Sequence, residues 1–581
     1  MRLDMDRAPF VRWLIVAAFA LALLTGLGDR GLIEPDEGRY AEIAREMVVS
    51  GDWLVPHLNG IEHFQKPPVI YWTTAISLKL FGFNEWAARL PSALAAAGTL
   101  LLTAWIGRML GGPCIGLAAA GVLLASLEFF VLARSLTPDM MMTFWIVAAI
   151  TCFVRRATGG NGWFEFGFFA AMGAGFLTKG PLALVVPIFA VLGWNFGRRR
   201  AGLIPTKLRW LVGLPLTLAI AVSWFAAMAL RDPALYDYFV KYELVQRFAS
   251  KTHGRSQPLL FFLPVLIAGI MPWLFVALAA LLNWTGLRKV GWRISPTGWL
   301  LVGWTVPPLI ILSLSGSKLF TYILPLMPAL ALWLAGGGNW LDAAPAKRSE
   351  GIAGFWSVWW RRIGLVCGIA FIASPALALT GASITIDRWK EFGFAWWFGP
   401  ALGLLALSGA GGAYLGTKWL AREPAGNWPA FERAGSVALA VLGVGLWLLL
   451  FSQADRLNDR FGRQASVRSL AALAQARPDF ATAAVFSWRV RAHGFEFYLG
   501  RTVGATRADA DVVLPLNPEQ QFRLVEDQAQ LLNGLAADRP AYGLMRRPDF
   551  EREFQTLGWR EIGRAGEFVL VANGLAAPAI P

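Results

Sequence analysis

Two stretches near the start of the chain crowd together residues able to handle protons and anions. One reads Ile33-Glu34-Pro35-Asp36-Glu37-Gly38-Arg39-Tyr40-Ala41-Glu42-Ile43-Ala44-Arg45-Glu46-Met47, the other His63-Phe64-Gln65-Lys66-Pro67-Pro68-Val69-Ile70-Tyr71-Trp72. A carboxylate takes a proton or positions a reacting atom. A lysine or guanidinium holds an anion. Pro35 with acids beside it is a helix start, since proline suits the first turn and carboxylates suit the positive end of the dipole. Tyr40, Ile43, Ala44 and Met47 then recur at helical spacing, predicting an apolar face on a helix too short to span a bilayer. Such a helix is expected to lie in the interface plane, with Asp36, Glu37 and Arg39 at headgroup level. The plainer alternative is that Asp36 and Arg39, three apart, only pair on a wet surface. The two prolines start a second short amphipathic helix, about 68–82, leaving Lys66 at its N-terminus. A cation there is unfavourable unless an anion joins it, which points to a phosphate; a snorkelling interfacial lysine is the alternative.

Further charges recur where apolar runs end. Arg134-Ser135-Leu136-Thr137-Pro138-Asp139, Thr178-Lys179-Gly180-Pro181 and Ser315-Gly316-Ser317-Lys318 are three such turns. The stretch 231–258 adds Tyr242-Glu243, Arg247 and His253-Gly254-Arg255. A single boundary charge is topological punctuation. Several independent hairpins delivering Asp, Lys and Arg to one level predict an anion-holding site that contains carboxylates. No His-x-x-x-His or Cys-x-x-Cys spacing exists, and Cys114, Cys152 and Cys367 fall in or beside apolar runs, where a thiol is a small hydrophobe.

The elements that must position these residues are set by composition. Of 581 residues, 56% are hydrophobic and 16% charged, and the mean hydropathy is +0.50. An ordinary soluble domain is about 45–50% apolar and about 25% charged, so lipid must be part of the solvent. The 28 Trp agree, because indoles settle at membrane boundaries. Spans are predicted at 12–28, 86–108, 114–133, 140–156, 163–178, 181–197, 210–230, 259–283, 296–315, 319–337, 362–383, 394–416 and 434–452, roughly thirteen helices. The Ala-x-Ala steps near Ala20 lie inside an apolar run, so no signal-peptide cleavage is expected. One set of loops collects Arg155-Arg156, Arg198-Arg199-Arg200, Arg288-Lys289 and Lys418-Arg422, which makes that side cytoplasmic. The net charge of +15 is therefore topogenic and does not indicate nucleic acid. An odd span count puts the tail on the outer face. Residues 1–451 are read as a transmembrane domain with outer loops at 29–84 and 231–258, and 452–581 as an outer α/β domain. In the tail, the apolar runs 483–486, 512–514 and 568–571 are predicted strands, and 518–532 and 548–557 helix-like stretches.

Glu34-Pro35-Asp36-Glu37-Gly38-Arg39-Tyr40, Lys66-Pro67-Pro68 with Tyr71-Trp72, Thr137-Pro138-Asp139, Lys179-Gly180-Pro181 and Gly316-Ser317-Lys318-Leu319 with Tyr322-Ile323-Leu324-Pro325 come in a familiar order. The chain resembles the bacterial aminoarabinose transferases of the protein-mannosyltransferase superfamily, across the transmembrane part and the plan of the tail. The resemblance implies a polytopic α-helical GT-C fold with a periplasmic α/β domain, in a bacterial inner membrane. It implies an inverting transferase moving a sugar, 4-amino-4-deoxy-L-arabinose in this branch, from undecaprenyl phosphate to lipid A or another periplasmic glycolipid. The catalytic acids then map onto Asp36 and Asp139, and the donor-phosphate contacts onto Arg39, Lys66, Arg247 and Arg255. Glu37, Tyr71, Lys179, Lys318 and Tyr322 are further candidates. No cofactor or nucleotide site is expected. Some members carry Glu before Lys-Pro-Pro and a His in Glu-His-x-x-Arg-Phe, a pair that can hold a metal. Here Gln65 and Leu244 stand there, and neither replaces such a ligand. Two alternatives stay open: a protein hydroxyl as acceptor, and a lipid or solute transporter, against which the boundary position of the charges argues.

Overall fold

The computed structural model describes residues 23–239, 257–271, 273–274, 293–336, 340–342, 465–507, 512–535 and 539–576. The predicted spans 362–383, 394–416 and 434–452 lie outside these, as does most of 12–28; residues 23–28 are turns. The stretch 29–84, predicted as the first outer loop, holds helix α1 (Asp36–Ser50), a hairpin of β1 (His57–Leu58) and β2 (Ile61–Glu62), and helix α2 (Val69–Phe81). Gly51, at φ 75°, ends α1. Asn84 starts the next helix, α3 (Glu85–Gly111), by accepting the Ala87 N–H at 2.8 Å.

After α3 come α4 (Pro113–Ala125), α5 (Leu127–Ala133), α6 (Pro138–Ala157), α7 (Gly162–Lys179), α8 (Leu182–Arg200), α9 (Trp210–Arg231), α10 (Pro296–Leu314) and α11 (Met327–Gly336). Among the described residues, α3, α6, α8, α9 and α10 are each long and apolar enough to cross a membrane. The predicted span 114–133 is broken in two, α4 and α5 meeting at a 72° bend. The Leu127 N–H donates to Met271 O at 3.0 Å, and this partner from another segment replaces the bond a continuous helix would make. Hydropathy is blind to such a break. The predicted span 319–337 opens as a 3-10 helix, Phe320–Leu326, before α11, since Pro325 and Pro328 bring no N–H. In the 259–283 region only a 3-10 turn, Leu259–Phe261, and a short helix, Phe262–Gly269, are described as helix elements.

Helices α8 and α10 touch backbone to backbone. A Cβ added at Gly193 would lie 2.2 Å from Trp299 O, and one added at Gly303 would lie 2.2 Å from Phe189 O. Glycines on both helices permit this approach, the usual route to tight packing where lipid offers no hydrophobic drive.

The C-terminal residues form a six-stranded sheet in the order β7-β6-β5-β8-β10-β9. Here β5 is Ala484–Trp488, β6 Gly504–Thr506, β7 Leu524–Val525, β8 Ala541–Arg546, β9 Arg560–Ala565 and β10 Phe568–Ala572; β3 (Arg293–Ile294) and β4 (Leu341–Asp342) pair separately. β7, β6, β5 and β8 run parallel, and β10 joins β8 and β9 antiparallel. Two runs predicted as strands, 483–486 and 568–571, match β5 and β10. The run 512–514 is not a strand. The predicted helix 518–532 is split into Pro518–Arg523 and Gln528–Gly534 by β7, with Asn517 and Asp527 capping the two pieces. The stretch 548–557 is a helical turn followed by π and 3-10 turns, closing at Gly558. Phe486, Trp488, Phe554 and Trp559 pack one face of the sheet, and Leu470, Phe495, Tyr542 and Leu570 the other.

The sheet sits on the first loop, which corrects the prediction for α1. Tyr40, Ile43, Ala44 and Met47 are buried as expected, but so are Glu37 near that face and Glu42, Arg45 and Glu46 on the other side. Arg45 pairs with Glu42 at 2.6 Å and donates to Gly500 O at 3.2 Å; Glu46 accepts the Gly60 N–H at 3.0 Å. Asn59 exchanges two hydrogen bonds with the Val503 backbone, both 2.9 Å. The polar face that composition assigned to water is roofed by the tail.

Glu37 anchors this layer. Its carboxylate takes Arg89 Nε at 2.9 Å and Nη2 at 2.7 Å, Arg30 Nη1 at 2.9 Å, and the backbone N–H groups of Ile33 and Leu136, both at 2.9 Å. Arg89 is fully buried and spends its other N–H groups on the carbonyls of Leu27, Arg30 and Gly31 at 2.7–2.8 Å. Burial alone would raise the Glu37 pKa, yet the Arg30 and Arg89 charges hold it well below the usual carboxylate range. Its stabilising effect is therefore complete above about pH 4.3, the ordinary glutamate value, and is lost as pH falls through the depressed folded value. Glu37→Gln should cost on the order of 3–5 kcal/mol at neutral pH, by leaving buried guanidinium groups without a counter-charge. Melting of the detergent-solubilised protein at neutral and acid pH checks this: the gap between wild type and variant should narrow in acid, and equal melting at pH 7 would refute the anchor.

Candidate functional site

Proline and glycine set the outer ends of the helices, and charges ride on those ends. Asp36 is the first residue of α1, and its side chain is 57% exposed. Arg39, one turn on, donates Nη2 to Asp36 at 2.7 Å and Nη1 to Gln65 Oε1 at 3.4 Å. The pairing of Asp36 with Arg39 that spacing alone suggested is thus present, although Arg39 itself is largely enclosed. Its Nε is buried without a hydrogen-bond partner. Burial would loosen its proton, but Tyr40, Asp36 and Tyr71 hold the guanidinium firmly charged.

Asp139 occupies the first turn of α6, behind Pro138 at the helix start. It is buried, and Lys179 Nζ donates to it across 40 positions of sequence. Lys179 is the last residue of α7, where Gly180 at φ 116° turns the chain. Its ammonium also stands 4.9 Å from the ring centre of Tyr322. Tyr40 links the two acid–base pairs: its phenol lies within electrostatic reach of Arg39, Asp36, Lys179 and Asp139, and burial pushes its pKa up. Tyr71, fully buried, packs 6.0 Å from Tyr40 between ring centres.

A cavity of about 400 Å³ opens beside these groups. Gln65, Lys66, Lys179 and Tyr322 line it together with an apolar wall that includes Phe64, Phe176, Leu182, Val222, Phe225, Phe239 and Leu312. Lys66 sits just ahead of α2, whose first turn carries no acidic residue. Through Gln65, Arg39 reaches the cavity rim while gripping Asp36. The arrangement offers cations to an anionic head and an aromatic–aliphatic wall to a hydrocarbon chain, with the Asp139 and Asp36 carboxylates linked to the lining through Lys179 and through Arg39 and Gln65.

Two predicted site residues serve the scaffold instead. Glu37 is the anchor described above. Lys318 is buried and donates to Gln257 O at 3.0 Å and Ser315 O at 2.8 Å, locking its own turn. Arg247, Arg255 and Leu244 lie outside the described residues. Among the described residues no group of three His, Cys, Asp or Glu is arranged to hold a metal ion. Gln65 presents its amide oxygen to a guanidinium, which is no place for a cation. Sequence reasoning missed Tyr40 as the link, although its place in the Gly38-Arg39-Tyr40 run was visible, and missed the aromatic wall, whose residues read only as span.

Residues 65–226 match the family profile described as dolichyl-phosphate-mannose-protein mannosyltransferase. The undecaprenyl phosphate-α-4-amino-4-deoxy-L-arabinose arabinosyl transferase of Aeromonas salmonicida is 34% identical, over 66% of this chain and 72% of its own length. A relative of the same description from Sodalis glossinidius is 37% identical over 64% of this chain, and the match spans 65% of that relative. For a second Sodalis relative it spans 58%. Crystal structures of ArnT from Cupriavidus metallidurans are also similar. The one bound to undecaprenyl phosphate is 26% identical, covers 98% of this chain and 100% of its own, and superposes with a TM-score of 0.71; the apo form scores 0.70.

The buried Asp139–Lys179 pair gives a test of the site's electrostatics that needs no substrate. Lys179→Met strands a buried carboxylate and should lose roughly 3–5 kcal/mol. Asp139→Asn combined with Lys179→Met should recover most of that loss. A double-mutant cycle of melting temperatures reads the coupling; strictly additive losses would show the two groups to be independent.

Proposed function

Since the chain belongs to the family of undecaprenyl phosphate-α-4-amino-4-deoxy-L-arabinose arabinosyl transferases, with their GT-C fold, we propose that it is a polyprenyl-phosphate-dependent, inverting glycosyltransferase. The donor is an undecaprenyl-phosphate-linked sugar, 4-amino-4-deoxy-L-arabinose, and the acceptor is lipid A or another glycolipid. The observation that carries this reading is the cavity: Lys66 and Lys179 stand in its lining with an apolar wall, Lys179 is paired with Asp139, and the lining residue Gln65 joins it to the Arg39–Asp36 pair. A phosphate ester of a hydrocarbon chain has that distribution of charge and grease.

In this reading Lys66 and Arg39, with Arg247 and Arg255 from the later loop, hold the donor phosphate. They stabilise the charge that grows on it as the sugar–oxygen bond breaks. Asp36 faces the reacting carbon. It takes a proton from a hydroxyl acceptor, and with a phosphate acceptor it positions the nucleophile and steadies positive charge on the sugar. Asp139, kept in place by Lys179, is the second acid, and Tyr71 and Tyr322 shape the pocket. A single displacement inverts the sugar carbon. The site faces the periplasm from the inner membrane, and residues 452–581 form a periplasmic domain; a periplasm-dependent reporter fused after Pro581 should be active, and a well-expressed silent fusion would reverse that orientation.

Reconstitution with the donor and lipid A, followed by mass spectrometry of lipid A, tests the reaction; unchanged lipid A beside a modified protein would move the acceptor elsewhere. Lys66→Ala should weaken binding of undecaprenyl phosphate and slow turnover by roughly 10- to 150-fold, the worth of a charged hydrogen bond of about 1.5–3 kcal/mol. Asp36→Asn should abolish most turnover and leave that binding nearly intact. The reverse pattern would exchange or remove the two roles.

A further inference from the structure

One enclosed carboxyl group near the site has no part in the reaction as described. Glu34 stands two residues before Asp36. Its backbone N–H donates to Ala465 O at 2.9 Å, and its Oε1 accepts the Gly494 N–H at 2.8 Å, so both ends of the residue are tied to the C-terminal segment. The carboxyl group lies in a slot between two glycines. A Cβ at Gly38 would come within 2.5 and 2.6 Å of its two oxygens, and a Cβ at Gly494 within 2.1 Å of Oε1. Side chains on either side would expel it. The other oxygen, Oε2, is buried without a hydrogen-bond partner.

On the opposite side of the same five residues, Glu37 holds the Ile33 N–H. The Glu34-Pro35-Asp36 step is thus gripped from within by the helices and from without by the tail. No tail residue among those described lines the donor cavity. We propose that Glu34 is a positioning residue: by locking this step to the helix Gly494–Leu499, it sets where the Asp36 carboxylate stands, and so makes the C-terminal α/β part a working component of the transfer. Burial and the neighbouring Glu496 both raise the Glu34 pKa, which favours the uncharged form of a group enclosed in this slot. The inference rests on the transferase reading above.

The experiment compares the full-length wild type with Glu34→Ala, Glu34→Gln and Gly494→Ala, measuring kcat, donor KM, undecaprenyl phosphate binding and melting. Glu34→Ala empties the slot, and Gly494→Ala pushes the carboxyl out of it. Both should lower kcat by about 10²-fold, the scale of an ångström-sized misplacement of a catalytic group, with KM and lipid binding unchanged. Glu34→Gln keeps the shape and an accepting oxygen and should stay near the wild type. Should Glu34→Ala fail to fold, Gly494→Ala and Glu34→Gln still decide. Unchanged kcat in the Ala variants, a loss confined to KM, or a folded Glu34→Gln as impaired as Glu34→Ala would each overturn the proposal. A wild type that transfers no sugar would instead overturn the reaction itself.

Discussion

A carboxylate removed from water must be matched by positive charge and N–H groups or it will not stay ionised. Glu37 meets that demand with two guanidinium groups and two backbone amides, and these partners come from three separate pieces of chain. Arg30 and Ile33 fix the approach to α1, Arg89 fixes α3, and the Leu136 N–H fixes the turn into α6. Asp36 is the neighbour of Glu37, and Asp139 lies three residues beyond Leu136. The two candidate acids are therefore held on one frame by an anion that touches neither.

The tail completes what this frame begins. A helix with Glu42, Arg45 and Glu46 on one side and Tyr40, Ile43 and Met47 on the other cannot be buried by membrane helices alone. The sheet supplies carbonyls and amides where lipid could not, at Gly500 and Val503. Excluding water from this layer also strengthens every charge interaction in it, since the same pair attracts several-fold more in a poorly polarisable surround.

Much of the site was legible because prolines and glycines mark where helices begin and end. Pro35 and Pro68 announced α1 and α2, and the charges after Thr137 and before Gly180 were visible at outer ends. What could not be read were partners remote in sequence. Nothing local in Glu37 foretells Arg89, and nothing near Asp139 foretells Lys179. Lys318 had the same credentials as Lys179 but spends its ammonium on carbonyls of its own turn and of Gln257. Apolar periodicity likewise fails where every side is apolar: the bend after Ala125 and the aromatic wall of the cavity both lie in runs whose composition says only that lipid or protein surrounds them. Short strands such as Gly504–Thr506 and Leu524–Val525 fall below what alternation can signal.

The backbone contact between α8 and α10 bears on how the proposed lipid-linked donor would enter. Leu182 and Leu312, one from each of these helices, face the cavity. With glycine backbones already touching, that flank has neither slack to give nor long side chains to swing aside. Val222 and Phe225 face the same space from α9, a helix whose Leu211, Val212, Leu218 and Leu230 are uncovered by protein. Its inner side is seated on α7, where Gly213 lies against the Phe169 ring and the Thr217 hydroxyl donates to Phe169 O at 2.9 Å. The cavity is therefore asymmetric in its borders: one flank is closed by touching backbones, and the other is a helix with apolar side chains exposed among the described residues, the side from which a donor carrying a hydrocarbon chain, as proposed, would enter.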